Sequence, residues 1–150
     1  SAVLNMVITE TGAAKAVALA LPELAGKLTG SSIRVPTPDV SLAVLHLTLE
    51  GPAEKAEIND YLRRVSLHSD LRQQIDYVES PEVVSTDFVG SHRAGIVDGL
   101  ATIANGTDVI LYVWYDNEFG YSSQVIRVLE VMAGSHPVVL PARREVTLQA

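Results

Sequence analysis

The sequence contains no cysteine. Within these 150 residues that excludes disulfides, thiolate metal sites and a cysteine nucleophile. Long apolar runs are also missing. The longest, "AVALAL" (16–21) and "VILYVWY" (109–115), fall far short of the ~20 residues a membrane span needs. No charged start precedes a long apolar core, so no signal peptide is read, and neither a membrane nor a secreted setting is expected. Basic clusters are lacking: 11 Lys and Arg stand against 18 Asp and Glu, and the net charge is −7, which argues against a nucleic-acid partner. There is no Gly-x-Gly-x-x-Gly fingerprint and no Walker loop. His68, His92 and His136 have no partner at i+4 of metal-ligand type, and His46 sits in an apolar strand, so no metal site is expected. Aromatics are scarce, with one Trp, five Tyr and two Phe, yet Trp114, Tyr115, Phe119 and Tyr121 crowd into one stretch.

What remains describes a packed domain. A hydrophobic fraction of 47% suits a core and is too high for disorder. A domain of this size buries ~70% of its unfolded surface. Residues 9–21 read as a helix of strong helix formers, stopped by Pro22. Residues 32–40 are extended and lead into a strand over 41–49 whose nearly continuous apolar character predicts cover on both faces. A helix over 51–66 is entered at Pro52, and 69–74 adds a helical turn. Residues 83–88 and 108–116 read as strands, and 94–104 holds one or two more, interrupted at Gly99. In 118–133, Val125, Val128, Leu129 and Met132 form one helical stripe, and Gly134 is placed to stop the helix. The irregular mixture of helices and strands predicts an α+β fold, a mixed, largely antiparallel sheet flanked by helices. Residues 1–134 form the domain part, and 135–150 a tail that is either an arm or an edge strand.

Three places carry possible chemistry. Thr11 and Gly12 stand at a helix N-terminus, where free N–H groups and the dipole attract anions; the ordinary reading is an N-cap. Arg34, on an extended segment, offers a planar fork to phosphate or carboxylate; the ordinary reading is a solvated surface residue. Asp116 and Asn117 fall where a strand feeds a helix, a common place for gripping ligands; the ordinary reading is again a cap, with Glu118 favouring the dipole.

The stretch "WYDNEFGYS" (114–122) followed by an amphipathic helix resembles the segment before the last helix of glyceraldehyde-3-phosphate dehydrogenases. "TGAAKAV" (11–17), "LPELAGKLTG" (21–30), "RVPTPDVS" (34–41) and "VVSTDF" (83–88) resemble the same family in the same order, over roughly residues 5 to 133. The resemblance implies the later part of a C-terminal catalytic domain. In the family a cysteine attacks the aldehyde, hydride passes to NAD or NADP, and inorganic phosphate releases an acyl phosphate. The family's "SCTTN" motif and its histidine segment have no counterpart here, so no catalytic residue is assigned and the chain alone is expected to be inactive. Residue by residue, the resemblance implies phosphate binding by Thr11, Gly12 and Arg34, a carboxamide held by Asn117, and a nicotinamide flanked by Tyr121. Glu10 departs from the family's "PTSTG" pattern and puts an acid beside the phosphate site. The implied activity is oxidation of glyceraldehyde 3-phosphate to 1,3-bisphosphoglycerate in glycolysis, in the cytoplasm, by a homo-oligomer. Erythrose-4-phosphate dehydrogenase and a non-catalytic binding or assembly module built on the same fold are the alternatives.

Overall fold

The computed structural model describes residues 4–135. The chain divides into two compact units, one ending at Pro38 and one starting at Asp39.

In the N-terminal unit, strand β1 (Val7–Glu10) pairs antiparallel with β2 (Ser31–Arg34), and helix α1 (Ala13–Ala20) follows β1. The helix expected from residue 9 therefore starts later, because Thr9 and Glu10 pair with Ser32 and Ser31 and are spent on the ladder. A 3₁₀ turn at Pro22–Leu24 ends the helical stretch. Among the described residues of this unit, none is buried. The described residues of the ribbon and helix thus form no buried core of their own.

Among its described residues, the C-terminal unit holds a five-stranded sheet and two α-helices. Its elements are β3 (Ser41–Thr48), α2 (Lys55–His68), β4 (Ile75–Val78), β5 (Gly95–Asp98), β6 (Ile103–Asn105), β7 (Asp108–Tyr115) and α3 (Phe119–Met132). The strand order is β3-β7-β5-β4, with β6 also pairing β7. All pairs are antiparallel except β4 with β5, so the fold is α+β, as the sequence predicts. The matching register Leu45↔Leu111 and Leu47↔Val109 puts these four side chains on one face. Helix α2 covers the β7 part of that face, with Ile58, Val109 and Leu111 at the centre and Leu49, Ala53, Leu62 and Val113 packed around them. Each fully buried Ile, Val or Leu of this kind contributes about 1.5–3 kcal/mol.

Three further expectations are corrected. The strand β3 is not covered on both faces: Leu42, Val44, Leu45 and Leu47 are exposed, because the strand order leaves β3 at the sheet edge. Helix α2 begins at Lys55, beyond Pro52. The approach to it is tied to the β6–β7 turn by Leu49 N–H to the Thr107 carbonyl at 2.8 Å and Ala53 N–H to that of Gly106 at 3.1 Å. The chain turns helical only after these bonds are made, with Glu54 N–H donating to the Glu57 carboxylate at 2.9 Å. Residues 83–88 form no strand; Ser85–Phe88 is a 3₁₀ turn. There the Asp87 carboxylate accepts from Val84 N–H at 2.8 Å, a local bond that competes with extended pairing.

Helix α3 ends as Gly134 predicts. With φ of +69°, Gly134 donates to the Val131 carbonyl at 3.1 Å, and Ser135 to that of Glu130 at 2.9 Å, the two bonds of a Schellman cap. The stripe Val125, Val128, Leu129 and Met132 is exposed along its length. The tail beyond Ser135 lies outside the described residues.

Candidate functional site

The best-defined candidate lies where β7 feeds α3. Strand β7 carries the chain through the sheet centre, so its C-terminal end is fixed by pairing with both β3 and β5. On the face opposite α2, Trp114 stacks on Phe88, with ring centroids 5.5 Å apart. Its indole N–H donates to the buried Asp98 carboxylate at 3.2 Å. That carboxylate also accepts from Ala101 N–H at 3.2 Å. The aromatic crowding of this stretch is therefore partly structural.

The next inward residue is Asp116, only 3% exposed. Its Oδ1 accepts from the backbone N–H groups of Glu118 at 3.1 Å and Phe119 at 2.7 Å. Its Oδ2 accepts from Gly90 N–H at 2.8 Å. The Gly90 bond above all, with that from Phe119, holds the carboxyl below the usual carboxylate range, against the opposing effect of burial. Asp116 is thus the cap foreseen from the sequence, and it also ties the corner to a loop 26 residues away.

That loop lies close along α3. The His92 carbonyl accepts from Gln124 Nε2 at 3.2 Å and from Arg127 Nη2 at 3.1 Å. The His92 ring meets Phe119 edge-on at 4.9 Å. Gly120 is buried against the Arg93 carbonyl, with no room for a side chain. Burial, and then neighbouring Arg93, lower the Arg127 pKa from its ordinary value.

Asn117 stands on this braced turn and is exposed. Its side chain makes no hydrogen bond among the described residues, so both its donor and its acceptor are available. Tyr121, one helical turn on, is 70% exposed. The two residues lie four positions apart at the start of α3, each exposed. That pair suits a flat ring bearing a carboxamide.

The remaining sequence candidates lie in the N-terminal unit. Gly12, not Thr11, is the residue that caps α1, and it has no side chain to do so. The Thr11 hydroxyl accepts from Ala13 N–H at 3.2 Å. No acidic residue occupies the first turn of α1, which leaves its N–H groups free of carboxylate competition from within the helix. Arg34 is exposed and its side chain has no ion pair or hydrogen bond among the described residues. In the ribbon it faces Val7, whereas Glu10, just before Thr11, faces Ser31. The Arg34 backbone is therefore three register steps from that end, roughly 10 Å, a gap that its long side chain is needed to span.

No group of three or more His, Asp or Glu suited to a metal occurs among the described residues. None of their helices is long and apolar enough to cross a membrane. The links from Asp116 to Gly90 and from Gly120 to Arg93 were not read from the sequence. An Asp before a helix announces only a cap, and nothing local points to its distant partner.

Comparison with known proteins adds a second line. Residues 1–117 match the family model described as glyceraldehyde 3-phosphate dehydrogenase, C-terminal domain. A glyceraldehyde-3-phosphate dehydrogenase-like protein of Pseudomonas aeruginosa is 65% identical over 141 residues, covering 94% of this chain and 31% of that protein. The cytosolic glyceraldehyde-3-phosphate dehydrogenase of Ginkgo biloba is 47% identical over 132 residues, covering 87% of this chain and 38% of its own length. A Synechocystis glyceraldehyde-3-phosphate dehydrogenase 2 is 42% identical over 134 residues, covering 89% and 39%. The chain thus spans about a third of the length of the curated relatives it matches.

Proposed function

Because the chain belongs to the glyceraldehyde 3-phosphate dehydrogenase family through its C-terminal domain, we propose that it forms part of the catalytic domain of a phosphorylating aldehyde dehydrogenase. The reaction is oxidation of glyceraldehyde 3-phosphate to 1,3-bisphosphoglycerate, with inorganic phosphate and NAD or NADP. The observation that carries this reading is the free Asn117 amide on a turn fixed by a buried carboxylate. A nicotinamide cofactor, when bound, supplies the hydride acceptor. In this reading Asn117 exchanges hydrogen bonds with the carboxamide and so fixes which face of the ring is presented. Tyr121 excludes water from one side of the ring. The Thr11 hydroxyl, the free N–H groups at the start of α1 and the Arg34 guanidinium bind phosphate oxygens.

The chain contains no cysteine, so these residues bind and orient while the covalent step needs a thiolate from elsewhere. Mixed with glyceraldehyde 3-phosphate, phosphate and NAD or NADP, the purified chain is expected to form no reduced cofactor. Turnover by the chain alone overturns this assignment. Inorganic phosphate is expected to shift the backbone resonances of Gly12 and Ala13, and less so in Arg34→Ala. A cytoplasmic location belongs to the same proposal, after the cytosolic relative. So does self-association through the exposed α3 stripe: light scattering is expected to give more than one copy, and Val128→Glu to reduce it.

A further inference from the structure

We propose that Asp116 is the positioning residue for Asn117: one carboxylate oxygen caps α3, the other anchors the turn to the 89–94 loop, and together they aim the Asn117 amide. This rests on the reading of Asn117 as the group that orients a carboxamide.

An ordinary N-cap needs one oxygen. Here Oδ1 alone takes that duty, accepting from both Glu118 and Phe119. Oδ2 is spent on Gly90, far along the chain. The Asp116 carbonyl in turn accepts from Gly120 N–H at 3.0 Å. Backbone on both sides of Asn117 is therefore fixed, while its side chain is left without a partner. The anchor point is itself held. Gly90 adopts φ of +78°, a conformation L side chains rarely adopt. Ser91 N–H donates to the Phe88 carbonyl at 3.1 Å. Arg93 N–H donates to the Ser91 hydroxyl at 3.2 Å. The contact of Gly120 with the Arg93 carbonyl closes the brace from the helix side. A side chain that reads a ligand by direction gains from a fixed base, because the ordering cost is met before binding.

The two duties can be separated. Asp116→Asn retains an acceptor for the cap but sets an N–H₂ against the Gly90 N–H, so it breaks the anchor. Asp116→Ala removes both. The control is Asp98→Asn, which disturbs a different buried carboxylate. Two measurements on the 150-residue chain, by nuclear magnetic resonance, decide the matter. The first is the χ1 rotamer distribution of Asn117 in the free protein. One dominant rotamer is expected in the wild type and in Asp98→Asn, with its population reduced at least twofold in both Asp116 variants. An unchanged rotamer in Asp116→Asn and Asp116→Ala overturns the positioning role. The second is titration with nicotinamide mononucleotide and with nicotinic acid mononucleotide, its carboxylate counterpart. The wild type is expected to prefer the carboxamide, and Asp116→Asn to lose that preference about tenfold, the scale of one hydrogen bond to a charged group. An absent preference in the wild type sinks the Asn117 reading, whereas the rotamer result still decides Asp116 by itself.

Discussion

The Tyr77 ring rests against the α-carbon of Gly99, in the space that a side chain on residue 99 would fill. Gly99 is buried at the end of β5, and its carbonyl accepts from the Asn59 side chain at 2.8 Å, so α2, β4 and β5 meet there. Gly99→Ala forces the phenol aside and is expected to cost about 1–3 kcal/mol in urea unfolding. Because one clash causes the loss, adding Gly99→Ala to a Tyr77→Ala background is expected to cost under about 0.5 kcal/mol. Additive losses would locate the strain elsewhere.

The same phenol gives a prediction in base. Burial raises the Tyr77 pKa above its ordinary 10.0, helped by Glu79 and Asp98 and opposed by Arg63. The folded state then favours the protonated phenol. Its contribution is full below about pH 10 and is lost as pH rises through the folded value. Tyr77→Phe should flatten the alkaline fall in melting temperature; an unaltered fall would assign it to other groups.

Acid works through Asp116. The Gly90 N–H leads in holding this carboxyl low, so the folded state favours the ionised form. Its contribution is present above the unfolded pKa, about 3.9, and disappears as pH drops through the folded value. Asp116→Asn is expected to be less stable than wild type at pH 7, and the two should converge below about pH 3. Parallel curves down to that pH would show that the carboxylate does not carry this difference.

Gly120→Ala sets two effects in opposition. Alanine gains about 1 kcal/mol over glycine in a helix. Its Cβ would press on the Arg93 backbone carbonyl, which cannot retreat without disturbing the neighbouring His92 carbonyl and the two bonds it accepts. Overpacking of this kind costs about 1–3 kcal/mol. The expected sum is a net loss of up to about 2 kcal/mol, with faster amide exchange at Ser91 to Ala94 than in wild type. Stabilisation by this change would show that the loop yields freely.

Val40 is a β-branched residue with φ of +69°, a conformation that costs about 1–3 kcal/mol. Its N–H donates to the Asp39 carboxylate at 2.6 Å, which helps to keep it there. Val40→Gly removes the strain but adds unfolded-state freedom worth about 0.5–1 kcal/mol. The expected change is therefore a gain between zero and about 2.5 kcal/mol, whereas Val109→Gly in the core should lose stability. A loss above 2 kcal/mol at Val40 would mean that its side-chain packing outweighs its backbone strain.

Periodicity made α3 and β7 legible, since 3.6-residue and apolar-run signals are local. It failed at Thr9–Glu10, where helix formers downstream masked a short strand whose partner lies more than twenty residues away. It failed at 83–88 because Asp87 satisfies the Val84 N–H locally, a bond that two valines in a row conceal. The edge position of β3 was invisible for another reason: an apolar run reports what a strand is suited to, not which neighbours it has. Of the candidate site, Asn117 and Tyr121 were legible through resemblance. Their support through Gly90 and Gly120 was not, because both are tertiary contacts.

The N-terminal unit holds Thr11, Gly12 and Arg34 on a two-stranded ribbon and an eight-residue helix without a buried side chain. Isolated ribbons and helices of that length are marginal in water. A segment of that kind opens locally at small free-energy cost. In the proposed reading, a phosphate gripped at α1 and by Arg34 becomes an ionic tether for a segment short of apolar anchorage. By mass action its occupancy sets the closed fraction. Resistance to protease between Val7 and Arg34 then becomes a gauge of phosphate concentration.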